Sequence, residues 1–409
     1  MNILIQKFGG TSLEDPETRQ QAIEKIILAK EAGFSPVVVV SAMGRNGSPY
    51  ATDTLKNLIG INQSYGNHKN MDLLLSCGEI ISAVVLSDLL ESAGLSAAAL
   101  TGWQAGIITD DHFGDADILS IEKETLLGYL EDHIIPVVTG FQGMTSRREI
   151  TTLGRGGSDT TAVALGVALK AAAVEIFTDV DGIMTADPRV VPQACMLDEI
   201  HYDEVFQMAD QGAKIIHPRA VEIARQNNIS IRIRNTRSGH PGTLICSSRQ
   251  SFDTRYRTGC RQELLTAVTQ KNGLTQLIIY PSSNEVAESR LFDTMSASGI
   301  SIDMINFSLN HKAFIVEAEK TEKLCRLLEE GRFRFEVCPH VSKVTIIGNR
   351  ITGIPGVMAT VVRALTREGI QLLQSSDSHT TISCLVNSTD AHRAVQALHR
   401  EFGLDRREL

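Results

Sequence analysis

The chain has 409 residues, 43% of them hydrophobic and 21% charged, with 39 basic against 48 acidic side chains and a formal net charge of -9. Two or three globular domains fit that length, and the acidic balance argues against a nucleic-acid or anionic-membrane surface. No apolar stretch reads as long enough to cross a membrane, MNILIQKFGG is not a signal peptide, and seven scattered cysteines without a CxxC pair predict free thiols in the cytoplasm.

From the N-terminus, Ile3-Leu4-Ile5 predicts a strand that runs into the glycine turn KFGGTS, followed by a helix through residues 18–32. Buried strands follow at 36–41, 96–100, 134–139, 174–180 and 229–233, with helical patterns between them. This alternation predicts an α/β domain around a mainly parallel sheet. Ligands of such sheets gather at the carboxyl ends of the strands, and here those ends read KFGGTS, SAMG, TGFQG and FTDVDG. The polar, Gly- and Pro-containing stretch 238–260 predicts a connector. Beyond it a strand–helix–Gly–strand–strand–helix unit occurs twice, with Gly299 and Gly369 in equivalent places. Two such α+β modules can pair their sheets around a ligand site. The domains expected are 1–240, a connector 241–262, and modules 263–337 and 338–409.

Several loops carry chemistry. In KFGGTS, Gly9 and Gly10 let backbone N–H groups approach phosphate oxygens, and Lys7 adds a mobile positive charge. Ser41 of SAMG brings another donor to the same sheet edge, with Thr52 in the polar loop downstream. Glu79, in SCGE within the apolar helical run LLLSCGEIISAVVLSDLL, needs a partner if buried, and an ammonium ligand is one candidate. In TLGRGGSDTT, Arg155 offers a planar fork for a carboxylate, while Gly156 and Gly157 admit a ligand to the backbone. Ser158 and Asp159 stand at a helix start, where anions are favoured. The loop is not a Walker A sequence, because no Lys-Ser or Lys-Thr pair closes it. The alternative is an Arg–Asp pair that merely stiffens the loop. FTDVDGIMTADPR, residues 177–189, is polar enough at a sheet edge to hold a nucleotide, and Lys214 in GAKIIHPRA suits a second phosphate. His217 reads as part of the helix start, not as a base.

Taken in order, KFGGTS, SAMG, SCGE, TLGRGGSDTT, FTDVDGIMTADPR and GAKIIHPRA resemble the motifs of the aspartokinases, members of the amino acid kinase family. The paired modules look like that family's ACT regulatory domains. The resemblance implies an amino acid kinase fold followed by two ferredoxin-like ACT domains, and transfer of the γ-phosphoryl group of ATP, with Mg²⁺, to the side-chain carboxylate of L-aspartate. It places Lys7, Gly9, Gly10 and Lys214 on the phosphates and Thr178, Asp179, Met184, Asp187 and Arg189 along the nucleotide. Ser41, Thr52, Glu79, Arg155, Gly156, Gly157 and Ser158 border the aspartate, and Asp159 orients the lysines. No protein metal ligand is assigned, although Asp179 and Asp181 are near enough in sequence to touch Mg²⁺.

By the same resemblance the modules bind a feedback effector near Asp303, Met304, Asn306, Ile354, Pro355, Gln374 and Ser376. QSSDSHTT looks most like the diaminopimelate-sensitive type, with lysine and threonine open. The second module has the turn GIPGV, whereas the first has YPSSNEV in its place. A homodimer or higher oligomer through the modules is expected, with no fused dehydrogenase. The competing readings are a kinase for glutamate, acetylglutamate or a nucleotide, a non-enzymatic amino acid sensor, and modules that serve only dimerisation.

Overall fold

The computed structural model describes residues 1–59, 68–213, 215–247, 265–281, 285–348, 351 and 354–405. These divide into two compact units, the first made of 1–183, 196–209 and 214–254, the second of 184–195, 210–213 and 255–409.

The first unit begins β1 (Ile3–Phe8), α1 (Pro16–Glu31), β2 (Ser35–Val40), α2 (Thr52–Asn57), α3 (His68–Ser92) and β3 (Ala97–Leu100). It continues with β4 (Ile107–Thr109), β5 (Ile118–Ile121), α4 (Glu124–Glu131), β6 (Ile135–Thr139), β7 (Gln142–Met144), β8 (Ile150–Thr152) and α5 (Gly157–Ala168). Then come β9 (Ala173–Thr178), β10 (Glu199–His201), α6 (Tyr202–Asp210), α7 (Pro218–Asn227), β11 (Ile231–Asn235) and β12 (Thr243–Cys246). Eight strands form one sheet in the order β10-β12-β11-β9-β1-β2-β6-β3. Its pairs are parallel except β11–β12.

β2 shows why the centre is parallel. Val37 to Val40 are fully buried, so both faces of the strand need covering by helices. Each such valine stabilises the fold by about 1.5–3 kcal/mol. Chain order reverses about β1, which lies between β2 and β9, and this opens a crevice at the carboxyl ends of those three strands. Phe8 and Phe177 close its floor, register partners stacked at 4.8 Å.

Two expectations need correction. First, α3 runs 25 residues and is long and apolar enough to cross a membrane by length and composition. Its buried side nevertheless carries Asp72, Ser76, Glu79, Ser82 and Ser87, which fits a helix lying against a polar site. Second, the stretch read as a connector contains β12, a member of the eight-stranded sheet. Four residues are too few for alternation to stand out among Gly, Pro and Ser neighbours. The remaining strands of this unit, in the order β5-β4-β7-β8, make a small second sheet that carries β8 toward the crevice.

The second unit has β13 (Ala267–Ile279), α8 (Glu285–Ala297), β14 (Asp303–Phe307), β15 (Lys312–Glu317), α9 (Ala318–Glu330), β16 (Phe335–Ile347), α10 (Val357–Arg367), β17 (Gln374–Asp377), β18 (Thr381–Asn387) and α11 (Ala391–Glu401). The strands form one sheet, β14-β15-β13-β16-β18-β17. The repeat is strict at its helix stops. Gly299 N–H bonds Ser296 O and Ile300 N–H bonds Met295 O; Gly369 and Ile370 make the same two bonds to Thr366 and Leu365.

What the sequence hides is that the modules share strands. The last half of β13 pairs with β15 and with the first half of β16, while the first half of β13 pairs with the last half of β16, beside β18. Each half-sheet thus has the ferredoxin-like order, but the first half of β13, at the start of the first module, completes the second, and a boundary at 337/338 falls inside β16. Each module keeps its own core, around Phe314, Leu324 and Leu328 in the first and Val344, Ile346 and Val361 in the second. Residues 184–195 add Ala186, Val190 and Val191 to the second core, and Thr185 Oγ1 lies 2.8 Å from His399 Nε2.

Candidate active site

The crevice is built from short loops that hold one another. Gly9 N–H donates to Phe177 O, Ser41 N–H to Phe8 O and Gly44 N–H to Gly10 O, so the loops after β1, β2 and β9 form one hydrogen-bonded edge. Across it, Lys7 Nζ lies 2.7 Å from Asp159 Oδ1, and both side chains are nearly buried. Asp159 stands in the first turn of α5, where the helix dipole favours a carboxylate, and its other oxygen accepts from His217 N–H at 3.4 Å. The ion pair fixes the Lys7 side chain at the carboxyl end of β1.

Glu79 is 2% exposed. Its Oε1 accepts Ala42 N–H at 3.1 Å, while its Oε2 is buried with no hydrogen-bond partner among the described residues. Burial pushes its pKa up to about 8, against the lowering effect of the Ala42 bond. Gly78 makes this arrangement possible, since a Cβ there would lie 2.8 Å from Tyr50 O and 2.9 Å from Ala42 Cβ. The result is a buried carboxyl group with one oxygen anchored and the other without a partner among the described residues.

Arg155 lies in the turn between β8 and α5, exposed at a cavity of ≈ 580 Å³ that is also lined by Gly114, Asp115, Asp117, Gly154, His217 and Arg219. Arg219, not Arg155, does the stiffening. It ion-pairs with Asp117 and donates to Ala116 O at 2.9 Å. Among the described residues no group pairs with the Arg155 guanidinium. Gly156 caps α5 at φ +67°, and a Cβ on it would strike the His217 side chain at 2.2 Å. His217 accepts Arg219 N–H through Nδ1, capping α7, and burial lowers its pKa. It is helix-start structure, as its place before Pro218 indicates.

Ser158 is buried against Gly140, Thr52 opens α2, Thr178 ends β9 and Asp179 follows it. Asp179 pairs with Arg45, while Asn235 and Ser238 donate to Asp181 and hold its pKa low. The candidate nucleotide residues are divided: Met184, Asp187 and Arg189 belong to the second unit, where Arg189 pairs with Asp187. Lys214 lies outside the described residues.

These groups stand where relatives can be compared. A family model described as amino acid kinase family matches residues 2–235, and one described as ACT domain matches residues 336–400. Aspartokinase 1 of Bacillus subtilis (strain 168) is 44% identical over 407 residues, 99% of this chain and 100% of that protein. The chain is a member of the aspartokinase family. Aspartokinase 2 of the same organism is 37% identical over 417 residues, 99% of each chain. The solved structure of E. coli aspartokinase III in complex with aspartate and ADP gives a TM-score of 0.78 at 26% identity, covering 98% of this chain and 99% of that one.

In this aspartokinase, three of the candidate effector residues come together on the shared sheet. Asp303 pairs with buried Lys343, Gln374 donates to Met304 O, and Gln276 donates to Gln374 Oε1 at 2.8 Å. Met304 takes a left-handed φ of +49°, with its N–H on Asp303 Oδ1. Asn306 and Ser376 are exposed on β14 and β17; Ile354 packs on the second core and Pro355 is exposed before α10. Sequence reasoning missed Gln276 and Lys343. The signal was present, since TQL and SKV occupy equivalent places in the two modules and both put a long polar residue where the pattern is apolar.

Proposed function

We propose that the first-unit crevice performs the aspartokinase reaction with the following roles. Glu79 receives the ammonium of L-aspartate and Arg155 its α-carboxylate, with Ser41, Thr52, Gly156, Gly157 and Ser158 around the acceptor. Lys7, Gly9 and Gly10 take the ATP phosphates, joined by Lys214, and Asp159 orients Lys7. Thr178, Asp179, Met184, Asp187 and Arg189 follow the nucleotide. The observation that carries this reading is the pairing of opposites: among the described residues a buried acid oxygen on Glu79 and the guanidinium of Arg155 both lack a partner, in the same unit as a lysine already fixed by Asp159.

An aspartate β-carboxylate oxygen forms the new bond to the γ-phosphorus as the bond to the bridging β–γ oxygen breaks, and ADP leaves. With a solution pKa of about 3.9 the acceptor is already ionised, so no base is required. Alignment and neutralisation of charge are what the residues supply. Mg²⁺ would enter with ATP, and Asp179, half exposed at the strand end, is a carboxylate able to touch it.

The second unit supports regulation by an amino acid. One E. coli relative is solved with lysine and aspartate, and here diaminopimelate, lysine or threonine would bind near Asp303, Met304, Asn306, Ile354, Pro355, Gln374 and Ser376. A homodimer is supported by β14, an edge strand whose Ile305 and Phe307 are exposed. We place the protein in the cytoplasm and take 1–240 together with β12 as its catalytic domain, and 263–337 and 338–409 as the two modules, with β13 and β16 shared. The test is ATP-dependent acyl phosphate formation, trapped as a hydroxamate, with L-aspartate, L-glutamate and N-acetylglutamate in parallel. Signal with aspartate alone is expected, and signal with another acid overturns the acceptor assignment.

A further inference from the structure

α3 carries a second buried acid on the side that holds Glu79. Asp72 is 1% exposed, and it precedes Glu79 by seven residues, two helical turns and about 10 Å along one face. Its surroundings are the reverse of those of Glu79. Oδ2 accepts Gly114 N–H at 2.9 Å and Thr152 N–H at 2.8 Å, and Oδ1 accepts the Thr152 hydroxyl at 2.9 Å. Every donor is a neighbour in the fold, so this carboxylate is committed to holding and not to binding.

What it holds is the root of the Arg155 turn. Thr152 ends β8, and only Leu153 and Gly154 separate it from Arg155. Gly114 also lines the cavity that Arg155 lines. One turn further along α3, Ser76 O accepts the amide of Gln142, the register partner of Thr152 across β7 and β8. The helix is therefore fastened to the hairpin at two successive turns, and the next turn bears Glu79.

We propose that Asp72 is a positioning residue for the acceptor site, fixing the Arg155 turn relative to Glu79 so that α3 sets the spacing of the two groups. This rests on the reading in which Glu79 and Arg155 hold the ammonium and α-carboxylate. A rigid frame places the α-carbon of the acceptor one methylene short of its reacting carboxylate. If the frame loosens, aspartate loses its fit and L-glutamate, one methylene longer, gains by comparison, because a methylene misfit is worth about 10–200-fold in kcat/KM.

The substitution Asp72→Asn tests this. With its oxygen on the two N–H donors, the amide can only offer its NH₂ to the Thr152 hydroxyl, so what is lost is the charge that strengthens those bonds and the direction of the hydroxyl bond. For the full-length enzyme, KM for L-aspartate is expected to rise about tenfold while KM for MgATP stays within about twofold, and the aspartate-to-glutamate ratio of kcat/KM falls. Thr152→Val removes only the hydroxyl bond in a nearly isosteric side chain; it should raise aspartate KM about threefold and serves if the Asp72→Asn variant does not fold. Arg155→Ala and Glu79→Gln run alongside. If they raise aspartate KM while neither Asp72→Asn nor Thr152→Val does, the positioning role is overturned and the reading of the site stands. If both KM values rise together in the Asp72 and Thr152 variants, Asp72 is a structural anchor only, which also overturns the proposal. If Arg155→Ala and Glu79→Gln leave aspartate KM unaltered, the frame itself is gone and the proposal falls with it.

Discussion

In the first unit Lys7, Ser41, Arg155 and Asp159 stand at strand ends and helix starts, so each can meet an outside ligand without disturbing a single sheet bond. In the second unit Gln276, Lys343 and Gln374 lie on the strands themselves, buried where two modules share β13 and β16. A ligand that engaged that second group would have to compete with bonds that already join the modules. The first arrangement suits chemistry and the second suits coupling, because a group that bonds two modules reports on their fit.

The largest expected effect separates the two on those grounds. Lys7→Ala removes the charge fixed by Asp159 and should lower kcat by about 10²–10³-fold at saturating aspartate and MgATP. A loss below about fivefold, measured in single turnover, would mean that the strand-end lysine is not part of the transition-state site. Stability should divide along the same line. Ile5 and Ile346 are both fully buried, one in each unit, and truncation of either to alanine should cost about 2–5 kcal/mol. Calorimetry that resolves two transitions should show each variant lowering a different one; a single transition lowered equally by both would erase the distinction between the units.

Glu79 gives a pH test that nothing in the second unit imitates. Its pKa is raised to about 8 by burial, so between pH 6 and 8 the empty site is mostly protonated and aspartate binding must release that proton. KM for aspartate should therefore fall by about tenfold per pH unit from 6 upward and level off above 8. KM for MgATP should not follow, and in Glu79→Gln the dependence should vanish while KM stays about 10–100-fold high. A flat aspartate profile in the native enzyme would show that Glu79 is already ionised or does not meet the ammonium.

Much of this was legible because glycine and proline mark strand ends. Gly9, Gly10, Gly44 and Pro218 announce the loops, and runs such as Val37 to Val40 permit few alternatives to a buried parallel strand. The free state of Arg155 was not legible, since Arg219 could have left it the pairing role and only the fold shows which arginine Asp117 takes. Asp72 was silent for another reason: an acid in an apolar helix says that it needs partners, not where Gly114 and Thr152 will be. The strand sharing of β13 and β16 was hidden because a repeat fixes the order of elements and leaves open which copy completes which sheet.

The smallest effect bears on the second half of the comparison. Gln374 joins β17 to β14 through Met304 O and receives the amide of Gln276. Gln374→Ala breaks both links and leaves Met304 O to find water or nothing, a loss of about 0.5–1.5 kcal/mol for each neutral hydrogen bond. If an effector reads this junction, its half-saturating concentration in the coupled assay should shift by about 3–10-fold with whichever of lysine, threonine or diaminopimelate acts, since that energy then falls on only one of the two states. Lys343→Met, which frees Asp303, should shift it as well, and more for lysine or diaminopimelate than for threonine, because the vacated carboxylate can take the second ammonium that those two carry. Equal shifts for all three would confine the cluster to packing, and the strands would then carry polar residues only to fasten one module to the other.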